Sequence, residues 1–283
     1  MKKSIVLKSI AVMALLALLA VPLFAGNTGS GNLKLTVAGP LSLEAKLEGG
    51  YTLKIPMLAG EGPLFSDNNL KVKALVGVSP VAATFSLDAV LTPIAVAEIS
   101  LGGAVGTGWD FDAMEISGLT VGTPLVADPL GGAYYKIRTG AALQFDTAAI
   151  LPGDWTSILL RTYHELNYQG YTNAGKDVPW DYETGGSKTN GFNYKGEYLI
   201  GYKMPLKVNL VALQLETYMF DLFSGETMPF LYDVGLIGNL ELASSLNLTM
   251  AVQFTNMEKD SNKVIVERSF TFKRVALMLN YSF

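Results

Sequence analysis

Few residues in this sequence could do covalent chemistry. It holds one histidine, His164, and no cysteine. Thiolate nucleophiles, thiolate metal sites and disulfides are therefore excluded. The run His164-Glu165-Leu166-Asn167-Tyr168 opens like a pattern that sets two imidazoles four residues apart on one helical face to hold zinc. Tyr168 stands where the second imidazole is needed, and the segment reads as a strand. Zinc hydrolysis is not expected. The run Gly102-Gly103-Ala104-Val105-Gly106-Thr107-Gly108 has the glycines of a phosphate cradle. It lacks the Lys-Ser/Thr ending and the following helix that such a cradle needs. Strand glycines that permit bends and close approach explain it better. No catalytic group, metal site or cofactor is expected.

The charged residues are more informative, because many recur every second residue between apolar neighbours. Lys71 and Lys73 interrupt Leu70, Val72, Ala74, Val76 and Val78. Ser42, Glu44, Lys46 and Glu48 alternate with Leu41, Leu43, Ala45 and Leu47. Lys136 and Arg138 oppose Tyr135 and Ile137, and Lys195 and Glu197 oppose Tyr194 and Tyr198. A helix sends residues i and i+2 to nearly opposite faces, so period two denotes strands. Candidate strands are 41–57, 69–78, 80–91, 94–106, 111–122, 133–147, 157–169, 191–204, 206–220, 230–243, 246–257 and 263–283, about 12, with 10 or 14 as alternatives. The weakest is 111–122, where Met114 and Ile116 share one parity and Leu119 and Val121 the other. A phase change near Lys273-Arg274 predicts a β-bulge in the last strand.

Composition says what solvent these strands face. Hydrophobic residues make up 49% and charged residues 16%, against roughly 25% charged in soluble domains. The net charge of −4 leaves no basic stripe for phosphates, so nucleic acid is not an expected partner. Met1-Lys2-Lys3, the apolar run Ile10 to Leu19 and the approach to Ala25 read as a secretory signal peptide over 1–25. Past Gly26 no apolar run is long enough for a spanning helix. A membrane protein without such helices must close a sheet, since lipid cannot satisfy unpaired backbone groups. The expected fold is an all-β, closed antiparallel transmembrane β-barrel over 41–283. Residues 26–40 would form a periplasmic segment or a short extra strand.

The chain ends Val275-Ala276-Leu277-Met278-Leu279-Asn280-Tyr281-Ser282-Phe283. Val275, Leu277, Leu279, Tyr281 and Phe283 resemble the C-terminal assembly signal of bacterial outer-membrane proteins, with alternating apolar positions and a terminal aromatic. The resemblance implies the cell outer membrane, with its lipid, the barrel-assembly machinery and periplasmic chaperones as partners. The bacterial outer membrane also holds a twelve-stranded phospholipase family with Asn, His and Ser catalysts. That family's serine lies two residues after its histidine, where this chain has Leu166.

An even barrel puts both termini on the periplasmic side, which normally has the short turns. Ser79-Pro80, Met204-Pro205 and Ala243-Ser244-Ser245 are therefore expected there, and 58–68, 123–132, 170–190, 221–229 and 258–262 outside. Loop 170–190 carries Tyr171, Trp180, Tyr182 and several charges, and an inward fold could constrict a pore. Phe192 and Tyr202 are spaced to sit at the two membrane interfaces, roughly 25 Å apart along the normal. The lumen is expected to be lined by Lys46, Lys71, Lys73, Asp88, Lys136, Arg138, Arg161, Glu165, Lys195 and Glu197. Separated charge stripes would set a transverse field across open water, whereas paired charges would make an occluded interior. The expected function is a passive, porin-like channel for small polar solutes or ions, with no enzymatic step. The alternatives are a structural or adhesin-like barrel acting through its outer loops, and a lipid-acting enzyme.

Overall fold

A computed structural model describes residues 27–40, 44–224 and 229–283. The segment expected as a signal peptide, 1–25, lies outside the described residues. Twelve strands close a barrel, each hydrogen-bonded antiparallel to the next: β1 (Thr28–Gly39), β2 (Glu44–Pro56), β3 (Asn69–Val78), β4 (Ala82–Ile94), β5 (Ala97–Gly108), β6 (Tyr134–Asp146), β7 (Ile158–Tyr171), β8 (Gly191–Lys203), β9 (Val208–Met219), β10 (Leu231–Ala243), β11 (Leu246–Lys259) and β12 (Ile265–Ser282). Pairing of β1 with β12, from Asn32↔Ser282 to Gly39↔Val275, closes the ring. Closure removes every sheet edge, which is the condition for a sheet to live in hydrocarbon.

Alternation places the apolar residues outside. Leu35, Leu87, Leu101, Ile137, Leu143, Ile200, Leu213, Leu236, Met250 and Leu277 are all strongly exposed on the outer face. A continuous apolar belt of this kind fits lipid and not water. Aromatic residues rim it. Toward the outer end, Tyr135, Tyr168, Phe192 and Phe223 run in contact from strand to strand, and Phe230, Tyr232, Phe270 and Phe254 do so further round. Tyr202 lies at the other end, its hydroxyl donating to the Trp155 carbonyl at 3.0 Å.

The strand count agrees with the sequence because two errors cancel. Residues 28–39 form a full barrel strand, so the barrel begins before residue 41. Residues 111–122 are not a barrel strand. They belong to a long outer loop that holds the short pairs Asp110–Phe111 with Ile116–Ser117 and Leu119–Val121 with Val126–Ala127, and a 3-10 turn at Asp112–Met114. Each error reverses the side assigned to the loops after it. The loop at 58–68 thus lies on the side of the termini, and Ser79-Pro80 on the outer side, opposite to expectation. Beyond the outer loop the two reversals cancel. Loops 170–190, 221–229 and 258–262 lie outside, with Met204-Pro205 and the 243–245 turn on the terminal side.

The bulge expected near Lys273-Arg274 is present. Gln253 pairs with Arg274 and Phe254 with Phe272, leaving Lys273 as the extra residue. The bulge turns two adjacent cations inward. Lys273 meets Asp233 at 2.5 Å, and Arg274 meets Glu44 and Gln253.

Lipid on the outer face makes a charge there expensive. Ile137→Arg should lower the unfolding free energy of the refolded barrel in lipid vesicles by about 2–4 kcal/mol. The check is a denaturant titration followed by tryptophan fluorescence.

Candidate functional site: the charged lumen and its outer plug

The inner face of β5 lacks bulk. Gly102, Ala104, Gly106 and Gly108 point into the lumen in succession, since the parity that exposes Leu101 and Val105 outside puts even positions inside. Other groups fill that space. Asp88 of β4 and Arg138 of β6 both register opposite Gly102. A Cβ on Gly102 would run into the Asp88 carboxylate. Without one, the pair reaches across β5 as a two-point contact, Nε to Oδ1 at 2.8 Å and Nη2 to Oδ2 at 2.6 Å. The Tyr182 hydroxyl sits over Gly106, and the Gly118 backbone sits over Gly108.

Asp88–Arg138 is one member of a series of ion pairs around the wall. Lys71 meets Glu98 at 3.0 Å, Lys136 meets Glu165 at 2.6 Å, and Arg161 meets Glu197 at 3.3 Å. Lys195 bridges Glu216 at 2.6 Å and Glu197 at 3.7 Å, and Lys273 meets Asp233. Half-buried charges need such partners, because a lone ion between low-dielectric walls is poorly solvated. Six carboxylates are each engaged by a cation. Among the described residues Lys73 makes no ion pair, and it is exposed. Two cavities of about 190 and 170 Å³ adjoin it, and both are lined by Lys73, Asp88 and Arg138.

The outer mouth is crossed by loop 172–190. It leaves β7, which is diametrically opposite β1 in the ring, and reaches the far wall. Trp180–Tyr182 adds a strand to Leu119–Val121 of the other long outer loop. Trp180, Tyr171, Leu119 and Ala174 form a buried cluster, and Tyr134 stacks on Tyr182 with ring centroids 4.4 Å apart. Contacts to the wall anchor the loop. Glu183 bonds Lys46 of β2 at 3.0 Å, the Tyr182 hydroxyl bonds Thr84 of β4 at 2.7 Å, and Lys259 of β11 donates to the Thr184 carbonyl. Glu183 and Thr184 both have left-handed φ, 53° and 56°, which is a strained backbone for a β-branched residue. Gly118 lies so close to Val81 that a Cβ there would overlap the Val81 carbonyl.

Lys188 of this loop lies over the Phe220 ring, 5.5 Å from its centroid, and makes no ion pair among the described residues. Burial pushes its ammonium down to about 8. Asp181 opposes the shift, while Lys136 and Lys259 add to it. Burial also raises the Tyr182 hydroxyl, helped by Glu183.

The ten lumen candidates therefore separate by partner. Lys71, Asp88, Lys136, Arg138, Arg161, Glu165, Lys195 and Glu197 join the pairs around the wall, Lys46 holds the plug, and Lys73 stays free. Sequence reasoning did not place Lys34 or Arg274, which pair with Glu48 and Glu44. Nor did it assign Glu183 its role as a tether. Lys34 was missed with its strand, and only the bulge reveals Arg274. His164 is on the lipid face, its ring nitrogen 2.7 Å from the Tyr194 hydroxyl and its ring edge-on to Tyr198.

No protein-family model matches this sequence, and no curated protein does. Among solved structures the chain is similar to the NanC porin, with a TM-score of 0.44 and 5% identity over 89% of this chain and 98% of that one. It is similar also to the KdgM porin solved with disordered oligogalacturonate, with a TM-score of 0.40 and 10% identity over 90% and 99%. A third is OmpT, an outer membrane protein of Vibrio cholerae, with a TM-score of 0.42 and 8% identity over 91% and 99%. Likenesses this weak assign nothing to this chain.

Two outcomes follow from the geometry. Gly106→Leu should displace Tyr182 and loosen the plug, exposing 172–190 to protease, whereas Gly102→Leu should leave the plug protected. Limited proteolysis in detergent separates them. The second outcome concerns Lys188. A depressed lysine carries its charge at a cost in the folded state; that cost is complete below pH 8 and fades as pH rises from 8 to the ordinary 10.5. Lys188→Met should therefore stabilise the barrel at pH 7, with the advantage shrinking above pH 8. Unfolding midpoints measured across that range give the answer.

Proposed function

We propose that this barrel is an outer-membrane pore that passes small polar solutes or ions passively, with loop 172–190 narrowing its outer mouth. The observation that carries the reading is the space around the exposed Lys73, which lines two cavities together with Asp88 and Arg138. A barrel serving only as a scaffold would gain from apolar side chains there, since filling a core with hydrophobic groups matches or exceeds paired charges in stability. The closed antiparallel ring, the apolar belt and the aromatic rims support placement in the outer membrane, the usual home of such barrels.

A second reading, a barrel that acts through its outer surface, draws support from the anchored plug. The Lys46–Glu183, Tyr182–Thr84 and Lys259–Thr184 contacts hold the mouth narrow. The readings part in planar bilayers. The pore reading expects discrete conductance steps from the refolded protein and larger steps from Lys46→Ala/Lys259→Ala. Silence from both proteins leaves the surface reading. Cysteine labelling gives an independent check in a chain with no native cysteine. Lys73→Cys should react with a small water-soluble thiol reagent in vesicles, and Val72→Cys, which faces lipid, should not.

The pore reading gives His164 no reacting role. Its hydroxyl neighbour is a tyrosine, and the position two residues on is Leu166, whose side chain shares the lipid face. Phospholipid vesicles holding wild type or His164→Ala should show the same background hydrolysis.

A further inference from the structure

Not every cation on the lumen wall has an ion-pair partner. Around the wall, each of the carboxylates Asp88, Glu98, Glu165, Glu197, Glu216 and Asp233 is held by a cation within 3.3 Å. Lys73 has no such partner among the described residues; Lys259, also without one, is engaged by the Thr184 carbonyl. Its register partner across the strand boundary is Asp88, but both oxygens of that carboxylate are bonded by Arg138. The other nearby carboxylate, Glu98, is taken by Lys71. Arg138 and Lys71 thus hold the two carboxylates next to Lys73, which acts on Glu98 through space without a direct ion pair.

Its surroundings complete a receptive site. Lys73 lines both cavities, so a solute moving between them passes its ammonium. Arg161 and the hydroxyl-bearing Ser100 and Tyr163 line the larger cavity with it. An entering ion therefore meets the unpaired positive charge of Lys73 where the two cavities adjoin it. Low-dielectric walls focus such a field and raise the local concentration of the opposite ion.

We infer that the lumen selects small anions over cations, and that Lys73 is the group on which a small oxyanion, a carboxylate or phosphate, is bound in passage. The inference rests on the pore reading and names its substrate class. An oxyanion suits the site because the Lys73 ammonium supplies charge and N–H donors, and Arg161, bonded to Glu197 through Nη1, has further N–H groups to offer.

The test is the reversal potential of the refolded protein in a potassium chloride gradient, with inorganic phosphate then added as a competitor. Wild type should give a chloride-to-potassium permeability ratio above one. Lys73→Gln should lower it several-fold, Lys73→Glu should bring it below one, and Lys73→Arg should keep it. Lys207→Gln removes the same charge from a periplasmic turn and should leave the ratio unchanged. Phosphate should reduce the chloride current of wild type and of Lys73→Arg, but not that of Lys73→Gln. A current with a wild-type ratio of one or less, or one indifferent to Lys73→Gln, overturns the inference and leaves the pore standing. Absence of current from both wild type and Lys46→Ala/Lys259→Ala overturns the pore and the inference together.

Discussion

The arrangement inside this barrel depends on one strand face being nearly bare. From Gly102 to Gly108 the lumenal side of β5 carries three glycines and Ala104, so it offers backbone and a single methyl. A glycine in a strand gives up packing and conformational entropy, and the position must recover that through what approaches it. Here three separate groups approach. The Asp88–Arg138 pair passes over Gly102, the Tyr182 hydroxyl rests on Gly106, and Gly118 lies on Gly108. The same face thus connects the charged wall to the outer plug. A larger side chain at any of the three would separate elements that are distant in sequence.

The charges follow from that constraint together with the solvent on the other side. Lipid rejects them from odd or even positions according to the strand, so alternation drives every one inward. Once inside, they must find partners at distances set by strand register. Lys71 reaches Glu98 and Arg138 reaches Asp88 by skipping one strand, whereas Lys136 and Glu165 lie on neighbouring strands. The bulge at Lys273 changes register locally and delivers two cations where regular alternation would deliver one. Because pairing is local, a surplus charge cannot be neutralised by a carboxylate elsewhere in the ring. Lys73 is that surplus.

The alternation that made the fold legible in the sequence also defines where legibility stopped. Strands such as 69–78 and 246–257 alternate on their own, so both existence and parity were readable, and Lys71 meets Glu98 on the face it shares with Lys73. β1 was obscured because Gly29, Ser30, Gly31 and Asn32 carry no apolar alternation. Its first half is held by neighbours: Tyr51 lies against Gly29, and the Phe283 ring against Gly31. Residues 111–122 misled for the opposite reason. They contain apolar residues at strand-like density, but Leu119 is buried with Trp180 and Tyr171 in the mouth rather than facing lipid. Density reports that a segment will be buried or embedded; only unbroken parity reports that it spans. The role of Lys73 was not readable at all, because it is defined by what Arg138 and Lys71 do to Asp88 and Glu98.

The location of the compact apolar cluster completes the physical account. In a water-soluble barrel the largest buried side chains would fill the middle. Here the middle is charged, and Trp180, Tyr171 and Leu119 are buried together in the outer mouth. Apolar burial therefore stabilises the plug rather than the wall, which draws its stability from the closed hydrogen-bond ladder and from lipid. Tyr134 of β6 and Tyr171 of β7 pack into the cluster from the near wall, whereas the far wall holds the plug by polar contacts, among them Lys46–Glu183, Tyr182–Thr84 and Lys259–Thr184. Polar contacts of this kind contribute far less each than a buried aromatic cluster does. The plug can therefore keep its own packing while its attachment to β2, β4 and β11 is broken. Such a division of stability is what a movable constriction requires, and it follows from placing aromatics in the loop and charges on the wall.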